Sequence, residues 1–393
     1  MTTALMPTYA RQPIAFVRGE GVWLFDTQGR RYLDTTAGIA VCGLGHAHPA
    51  VAEAIADQAR TLVHTSNLFQ VPLQEQLAEK LCEVSGMARV FFGNSGAEAN
   101  EGAIKLARLY GNQRGVALPT IIVMHNSFHG RTMATLTATG NTKIQTGFGP
   151  LVQGFVHVPH GDVEAIEAVA RENPNIVAIL VEPIQGESGV RMPPQGFDYL
   201  KQLRTLCDRH EWLLMLDEIQ TGNGRTGKYF AYQHVGILPD VVTTAKGLGN
   251  GFPIGSTLVS GRATELFGPG MHGTTYGGTP LGSRAALTTI NELLKGPIDN
   301  AAAMGARIKA GFERELGDLG VSVEGAGLML GVVLPRPCTE LVALAREAGV
   351  LLIVSAENRI RLLPPLIISA EESDELVQRI SALVRDFLTT AAS

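Results

Sequence analysis

The sequence predicts an α/β protein built on a large, doubly wound, mostly parallel sheet, with a smaller α/β domain beside it. Short runs that are apolar on every side, such as 212–216 and 241–245, are typical of strands buried on both faces. Stretches with apolar residues at helical spacing separate these runs, and this alternation is the rhythm of a doubly wound sheet. The C-terminal part changes to short strands between helices, which indicates the second domain.

Three regions are predicted along the chain: an N-terminal segment that joins the small domain (1–45), a large domain (46–285) and a C-terminal small domain (286–393). The patterns predict, in order, a hairpin at 23–34, a helix from Pro49, a strand, turn and helix over 88–110, a strand at 119–124, a helix from 163, a strand at 175–183, a helix at 195–210, a strand at 256–260, a long helical region at 281–316, a strand at 321–334 and a final helix from about 370.

Composition limits the classes of function. The chain has 393 residues, of which 45% are hydrophobic and 18% charged, with a formal net charge of −5. We expect a soluble, well-packed protein with no general attraction to nucleic acid or to an anionic membrane. Cysteines occur at 42, 82, 207 and 338 without a C-x-x-C pair, which favours free thiols in a reducing compartment. No apolar run suggests a signal peptide or a membrane span, so a cytoplasmic location is predicted.

An acid and an amine end two of the buried strands. The run WLLML stops on Asp217 and Glu218, and the run VVTTA stops on Lys246. Ligands of open α/β sheets lie beyond the carboxyl ends of their strands, so these groups should share one crevice. Burial lowers the pKa of a lysine and frees it to form a Schiff base, while a carboxylate could hold a pyridine nitrogen protonated. Two polar residues that merely end strands remain the alternative.

Two further segments carry candidate ligand-binding groups. The turn GNSGA, at 93–97, places small residues and free backbone N–H groups at the start of a helix, which suits a phosphate. A simple N-cap by Ser95, completed by Glu98, is the alternative. The loop after strand 119–124 contains Phe128 and Arg131, an aromatic face and a carboxylate binder, although surface packing would also explain them.

Several other motifs in the sequence are typical of nucleotide or metal sites. GNGRTGKY, at 222–229, fits G-x-G-x-x-G and nearly fits a P-loop, but it does not open a helix directly from a strand. Tyr229 also stands where a P-loop has its magnesium-binding hydroxyl. The histidine pairs 46/48 and 125/129 have no third ligand, so no metal site is predicted. A nucleotide-binding protein that uses GNGRTGK remains the alternative of a different class, together with a catalytically silent scaffold.

Motifs spread over nearly the whole chain resemble one known family. They are GHAHP (45–49), FFGNSGAEANEGAIKLAR (91–108), FHGRT (128–132), EPIQGESG (182–189), DEIQTGNGRTG (217–227), AKGLGNGFPIG (245–255), HGTTYGGTPL (272–281) and RLLPPL (361–366). In this order they resemble the class III, fold-type I aminotransferases that depend on pyridoxal 5′-phosphate (PLP). TTAGIAVCGLGH (35–46) and HTSNLF (64–69) are most similar to the acetylornithine aminotransferase branch.

The resemblance implies a role for each matching position. Lys246 would carry PLP and shuttle the proton, and Asp217 would pair with the ring nitrogen. Glu218, the residue after Asp217, would also contact the cofactor. The remaining cofactor contacts would come from Gln220 at the ring hydroxyl, Phe128 on the ring face, and Ser95, Gly96, Ala97 and the partner subunit's Thr275 at the phosphate. Substrate would contact Arg131, Arg361, Glu187 and Thr274.

The resemblance implies ping-pong transfer of the δ-amino group of N2-acetylornithine to 2-oxoglutarate, a step of arginine biosynthesis. It also implies that the enzyme is a homodimer. An Arg361–Glu187 ion pair would mask the arginine for the first substrate and open for the dicarboxylate. Ornithine aminotransferases carry a tyrosine where this chain has Ile39, which cannot contact a free α-amino group. Activity on succinylornithine, succinyldiaminopimelate, ornithine or γ-aminobutyrate is the alternative within the family.

Overall fold

A computed structural model describes residues 4–390 of the chain. Its strands form three sheets. The strands are β1 (Phe16–Glu20), β2 (Trp23–Asp26), β3 (Arg31–Asp34), β4 (Arg89–Gly93), β5 (Thr120–Met124), β6 (Phe155–Val158), β7 (Ile176–Val181), β8 (Leu213–Asp217), β9 (Val241–Thr244), β10 (Gly255–Val259), β11 (Ser322–Ala326), β12 (Met329–Val333), β13 (Val350–Leu351), β14 (Ile353–Ser355) and β15 (Arg359–Leu362).

Helices cover and connect these sheets. They are α1 (Ala37–Ala40), α2 (Pro49–Thr61), α3 (Pro72–Ser85), α4 (Gly96–Gln113), α5 (Met133–Ala138), α6 (Thr142–Gln145), α7 (Val163–Glu172), α8 (Asp198–His210), α9 (Pro280–Leu293), α10 (Pro297–Leu316), α11 (Leu341–Glu347) and α12 (Ala370–Thr390). No helix within residues 4–390 is both long enough and apolar enough to span a membrane.

The central sheet has seven strands in the order β4-β10-β9-β8-β7-β5-β6. Only β10 runs antiparallel to its neighbours, β4 and β9. Alternate residues of β5 pack on opposite faces: Ile122 and Met124 join one apolar cluster, and Ile121 and Val123 join another. Successive residues of a strand point to opposite faces, and here both sets are buried, so both faces of the sheet are covered. The predicted large, mostly parallel, doubly wound sheet is confirmed.

The N-terminal and C-terminal parts of the chain share a sheet and a core. Strand β3 pairs in parallel with β13, in the four-stranded sheet β1-β2-β3-β13. Val22, Leu33 and Leu44 are buried in the same cluster as the apolar residues of α10, β12 and α12. The other four-stranded sheet, β11-β12-β15-β14, is antiparallel and carries Arg361. The exact domain boundaries stay a prediction.

Two element predictions were wrong in detail. The helical region predicted at 281–316 is two helices, because Gly296 has a positive φ of 142° and Pro297 begins a new helix. The strand predicted at 321–334 is a hairpin, in which Gly325 and Gly327 both have positive φ and β11 turns back onto β12. Glycine allows these backbone conformations at no steric cost.

The short element α1, residues 37–40, is a left-handed turn. Its φ values are 46°, 65°, 67° and 62° in order, and only position 38 is glycine. Such a conformation costs about 1–2 kcal/mol for each residue with a side chain. The buried carboxylate of Asp34 holds the start of the turn, because it accepts from the backbone N–H groups of Thr36 at 2.8 Å and Ala37 at 3.1 Å. Asp34 is held in turn by His46 Nε2 at 2.8 Å.

Candidate active site

One cavity of about 680 Å³ lies beyond the carboxyl ends of β7, β8 and β9. This volume is typical of a site for a small organic ligand. Ten of the predicted site residues line it: Ser95, Gly96, Ala97, Phe128, Arg131, Glu187, Asp217, Gln220, Lys246 and Arg361. The strand-end argument therefore placed the acid and the amine correctly in a shared crevice.

Asp217, the last residue of β8, is held by a buried polar network. One carboxylate oxygen, Oδ2, accepts from the Asn100 amide at 2.7 Å and lies 2.7 Å from His129 Nδ1. The other oxygen, Oδ1, accepts from the backbone N–H of Ile219 at 3.1 Å. The buried His129 Nε2 has no partner within the described chain. These contacts satisfy the hydrogen-bonding capacity of the buried carboxylate and hold it in one position.

Lys246 follows β9 and lines the same cavity. Burial, and then the nearby charge of Arg361, lower the pKa of its amine to about 8. Lys246 has a positive φ of 43°, which is unusual for a residue with a side chain. A lysine with a lowered pKa has the free electron pair that covalent catalysis with a carbonyl compound needs.

The N-terminus of α4 forms another wall. Ser95 is its N-cap, and its hydroxyl accepts from the Glu98 N–H at 3.2 Å. The next two N–H groups, of Gly96 and Ala97, have no partner within the helix because they belong to its first turn. Gly96 is required here, since a Cβ at this position would lie 2.8 Å from the Ile219 side chain. This wall can receive a phosphate.

Glu182, directly after β7, connects two loops of the cavity. Its carboxylate accepts from the Phe128 N–H at 2.9 Å and from the Gly186 N–H at 3.0 Å. Burial, and then the charge of Asp217, raise the pKa of Glu182 to about 7. Beside the first loop, the Arg131 guanidinium lies 5.7 Å from the centre of the Phe128 ring.

Arg361 reaches the cavity from β15. Its Nη1 donates to the Gly186 carbonyl at 2.9 Å, while its buried Nε has no partner in residues 4–390. Burial lowers the pKa of Arg361, and the charge of Glu187 opposes this effect. In the described part of the chain no ion pair joins Arg361 to Glu187. The arginine is thus near the glutamate and still has a free donor for another anion.

Three predicted residues lie outside this cavity. The buried Glu218 carboxylate accepts from Thr221 Oγ1, Ala231 N and Tyr232 N, so the assignment of Glu218 to cofactor binding is not supported. Successive residues of a strand point to opposite faces, which explains why Asp217 and Glu218 separate. Thr274 lines a different cavity, and Thr275 is exposed.

Sequence reasoning missed several contributors to the cavity. Tyr9 lines it from the N-terminal segment, far from any recognised strand end. Asn100 and His129 hold Asp217 from a helix and a loop. Asn100 lies on α4 about one turn after the phosphate-binding candidates. This spacing is the signal in the sequence that could have placed Asn100 near the site.

The sequence from 6 to 384 matches the aminotransferase class-III family. The chain belongs to this family. It is 54% identical over 388 residues to an acetylornithine aminotransferase of Nitrosomonas europaea, with 98% of each chain covered. An N-acetylornithine aminotransferase structure from Stenotrophomonas maltophilia matches with a TM-score of 0.84 and 36% identity, over 97% of this chain and 98% of that one. A Toxoplasma gondii ornithine aminotransferase structure, described with PLP at its active site, matches with a TM-score of 0.91 and 32% identity, over 97% and 92%.

The cavity of this class-III aminotransferase fits PLP, the cofactor of the family. It offers an amine in Lys246, a carboxylate held by hydrogen bonds in Asp217, and a helix N-terminus for the phosphate. The unpartnered, buried Oε1 of Gln220 is a further polar atom available to the ring. When bound, the cofactor supplies an electron-withdrawing ring that stabilises negative charge on a substrate carbon.

Proposed function

We propose that this enzyme transfers the δ-amino group of N2-acetylornithine to 2-oxoglutarate, giving N-acetylglutamate semialdehyde and glutamate. The observation that carries the proposal is the shared cavity of Lys246, Asp217 and Arg361. The identity of 54% to the Nitrosomonas enzyme supports the choice of amino donor. The reaction would serve arginine biosynthesis in the cytoplasm.

Each side chain has a defined task in this reaction. Lys246 Nζ holds the cofactor at rest and then takes the proton from the carbon that bears the amine, for which a lowered pKa is suitable. The Asp217 carboxylate would pair with the protonated ring nitrogen and keep it protonated. At roughly 4 Å and an effective dielectric constant near 20, such a pair contributes about 4 kcal/mol.

The substrate side of the cavity must accept two different molecules in turn. Arg131 and Arg361 line the cavity and would bind the substrate carboxylates. We propose that Glu187 pairs with Arg361 while the acylated amino acid is bound, and releases it for the second carboxylate of 2-oxoglutarate. Ile39 also lines the cavity. Its apolar side chain gives no partner to a free α-amino group, which favours an N-acylated donor.

The active enzyme is proposed to be a homodimer with its sites at the subunit interface. Exposed large apolar residues cluster in segments 62–69 and 271–276, where Leu68 is 87% and Tyr276 63% exposed. Contiguous exposed apolar surface is a mark of an interface. Thr275 lies in the second segment, so a second subunit could bring its hydroxyl to the phosphate.

Absorption spectra and steady-state rates test the proposal. Purified enzyme should absorb in the visible region and lose this band on reduction with borohydride. With 2-oxoglutarate as acceptor, kcat/KM should be highest for acetylornithine among acetylornithine, succinylornithine, ornithine and γ-aminobutyrate. A preference for ornithine or γ-aminobutyrate would refute the acylated donor, and a preference for succinylornithine would change only the acyl group.

A further inference from the structure

Asn100 is a fully buried amide inside the first turns of α4. Its Nδ2 donates to Asp217 Oδ2 at 2.7 Å and to the His129 carbonyl at 2.8 Å. A buried amide is costly unless its hydrogen bonds are made, so these contacts are what makes the residue tolerable here.

Thr243 binds the other end of this amide. Its hydroxyl donates to Asn100 Oδ1 at 2.7 Å. Thr243 lies on β9 directly opposite Asp217 on β8. The Asp217 carboxylate and the His129 carbonyl can only accept, so the NH₂ end of the amide faces them, and the Thr243 hydroxyl supplies a donor to the carbonyl end. The sheet therefore determines the orientation of a side chain that belongs to the helix.

Attachment of α4 to the sheet does not require Asn100. On the next strand, β10, the hydroxyl of Thr257 donates to the Ala99 carbonyl at 2.8 Å and anchors the same turn of the helix. Ala103, Ile104 and Ala107 bury the helix face in the apolar core. Attachment of α4 to the sheet therefore does not explain why residue 100 has a polar side chain that contacts the Asp217 carboxylate.

We propose that Asn100 is a positioning residue that fixes the Asp217 carboxylate relative to the N-terminus of α4. The phosphate end of the cofactor belongs at Ser95–Ala97 and its ring nitrogen at Asp217, so Asn100 links the two anchoring points and keeps their spacing constant. Thr243 acts through Asn100. The inference rests on binding of PLP in this cavity, but not on the choice of amino donor.

The test compares Asn100→Leu, Thr243→Val and the matched control Thr257→Val in PLP-loaded enzyme without substrate. Thr257→Val removes a hydroxyl from the same helix contact without touching Asp217. The readouts are the dissociation constant of PLP from titration of the apoenzyme, and the pH at which the visible band changes. Melting temperatures of all variants check the fold.

Asn100→Leu should weaken PLP binding by about ten-fold, the size expected for a lost hydrogen bond to a charged group. The spectral titration should move to higher pH by about half a unit, because a less firmly paired ring nitrogen withdraws fewer electrons from the lysine nitrogen. Thr243→Val should change the PLP dissociation constant and the pH of the spectral transition in the same direction, but by less. Thr257→Val should change neither quantity.

Unchanged titration and affinity in a folded Asn100→Leu enzyme would overturn the proposal. Equal shifts in Thr243→Val and Thr257→Val would also overturn it, since they would mean a structural role only. If Asn100→Leu does not fold, the comparison of the two valine variants decides. A parent enzyme that binds no PLP would instead refute the cofactor, and a wrong donor preference would leave these readouts unaffected.

Discussion

The two sides of the cavity differ in how firmly their polar groups are held. On the cofactor side, Asp217 has three hydrogen-bonding partners, and Asn100 is itself fixed by Thr243. On the substrate side, the Arg361 guanidinium has one, the Gly186 carbonyl. Within residues 4–390, the side chains of Arg131 and Glu187 make no hydrogen bond or ion pair.

This difference follows from what each side has to do. In the proposed reaction the ring nitrogen would have to stay paired with Asp217 through both halves, and preorganised groups keep this carboxylate in place without reorganisation. In the proposed reaction the substrate side would exchange an acylated amino acid for a dicarboxylate, so firm pairing there would penalise one of the two. Rigid and adaptable groups therefore meet within a single cavity.

The largest effect is expected from Lys246→Ala, which removes the nucleophile and the proton carrier together. Turnover should fall by about 10⁴-fold or more, while PLP still binds through its phosphate. Stopped-flow rates and PLP content measure the two effects separately. Lys228→Ala, in the glycine-rich GNGRTGK segment, is the control and should turn over normally. Substantial turnover by Lys246→Ala would refute the assigned role.

Asp217→Asn should lower kcat by about 10³-fold, because a charge pair of about 4 kcal/mol is lost from the rigid side. Visible absorption should remain, since Lys246 is intact. The neighbouring Glu218→Gln should reduce stability and leave the pH titration of the band unchanged. An Asp217→Asn enzyme with near-normal kcat would show that the firmly held side is not essential.

A stability test addresses the pair of His46 and Asp34 at the left-handed turn 37–40. Burial acts to lower the pKa of His46, but its hydrogen bonds to Asp34 and Cys42 outweigh this and raise the pKa to about 9, from 6.5. The stabilisation is therefore fully present below pH 6.5 and lost as pH rises through about 9. Urea unfolding should show this loss in the parent and not in His46→Gln. Parallel pH profiles would contradict it.

The smallest effect is expected on the adaptable side. Glu187→Ala should change the ratio of kcat/KM for acetylornithine and ornithine by about ten-fold, since an arginine–carboxylate contact is exchanged and the chemistry is untouched. Ser188→Ala, which removes an unpartnered hydroxyl from the same loop, should keep the ratio. Unchanged donor ratios in Glu187→Ala would remove Glu187 from the selection of substrate.

The sequence predicted those parts of the site that follow from strand direction. Asp217 and Lys246 meet because parallel strands end at one edge of the sheet. Glu218 was misplaced, because the end of a strand does not reveal which face each of two adjacent acids takes. Tyr9 and Asn100 were missed since their contacts cross long stretches of chain. Apart from Glu218, the roles assigned to the site residues stay predictions.

The left-handed turn at 37–40 has a consequence for protein engineering. Glycine at position 39 or 40 would relieve strain of about 1 kcal/mol in the folded chain, while its greater freedom in the unfolded chain opposes this gain. Ile39, however, forms part of the cavity wall, and Ala40 packs with Ile184 and Leu363. Glycine at 39 would leave the pocket wider and less selective, and glycine at 40 would weaken this packing, so thermostable variants of this enzyme are better sought away from this turn.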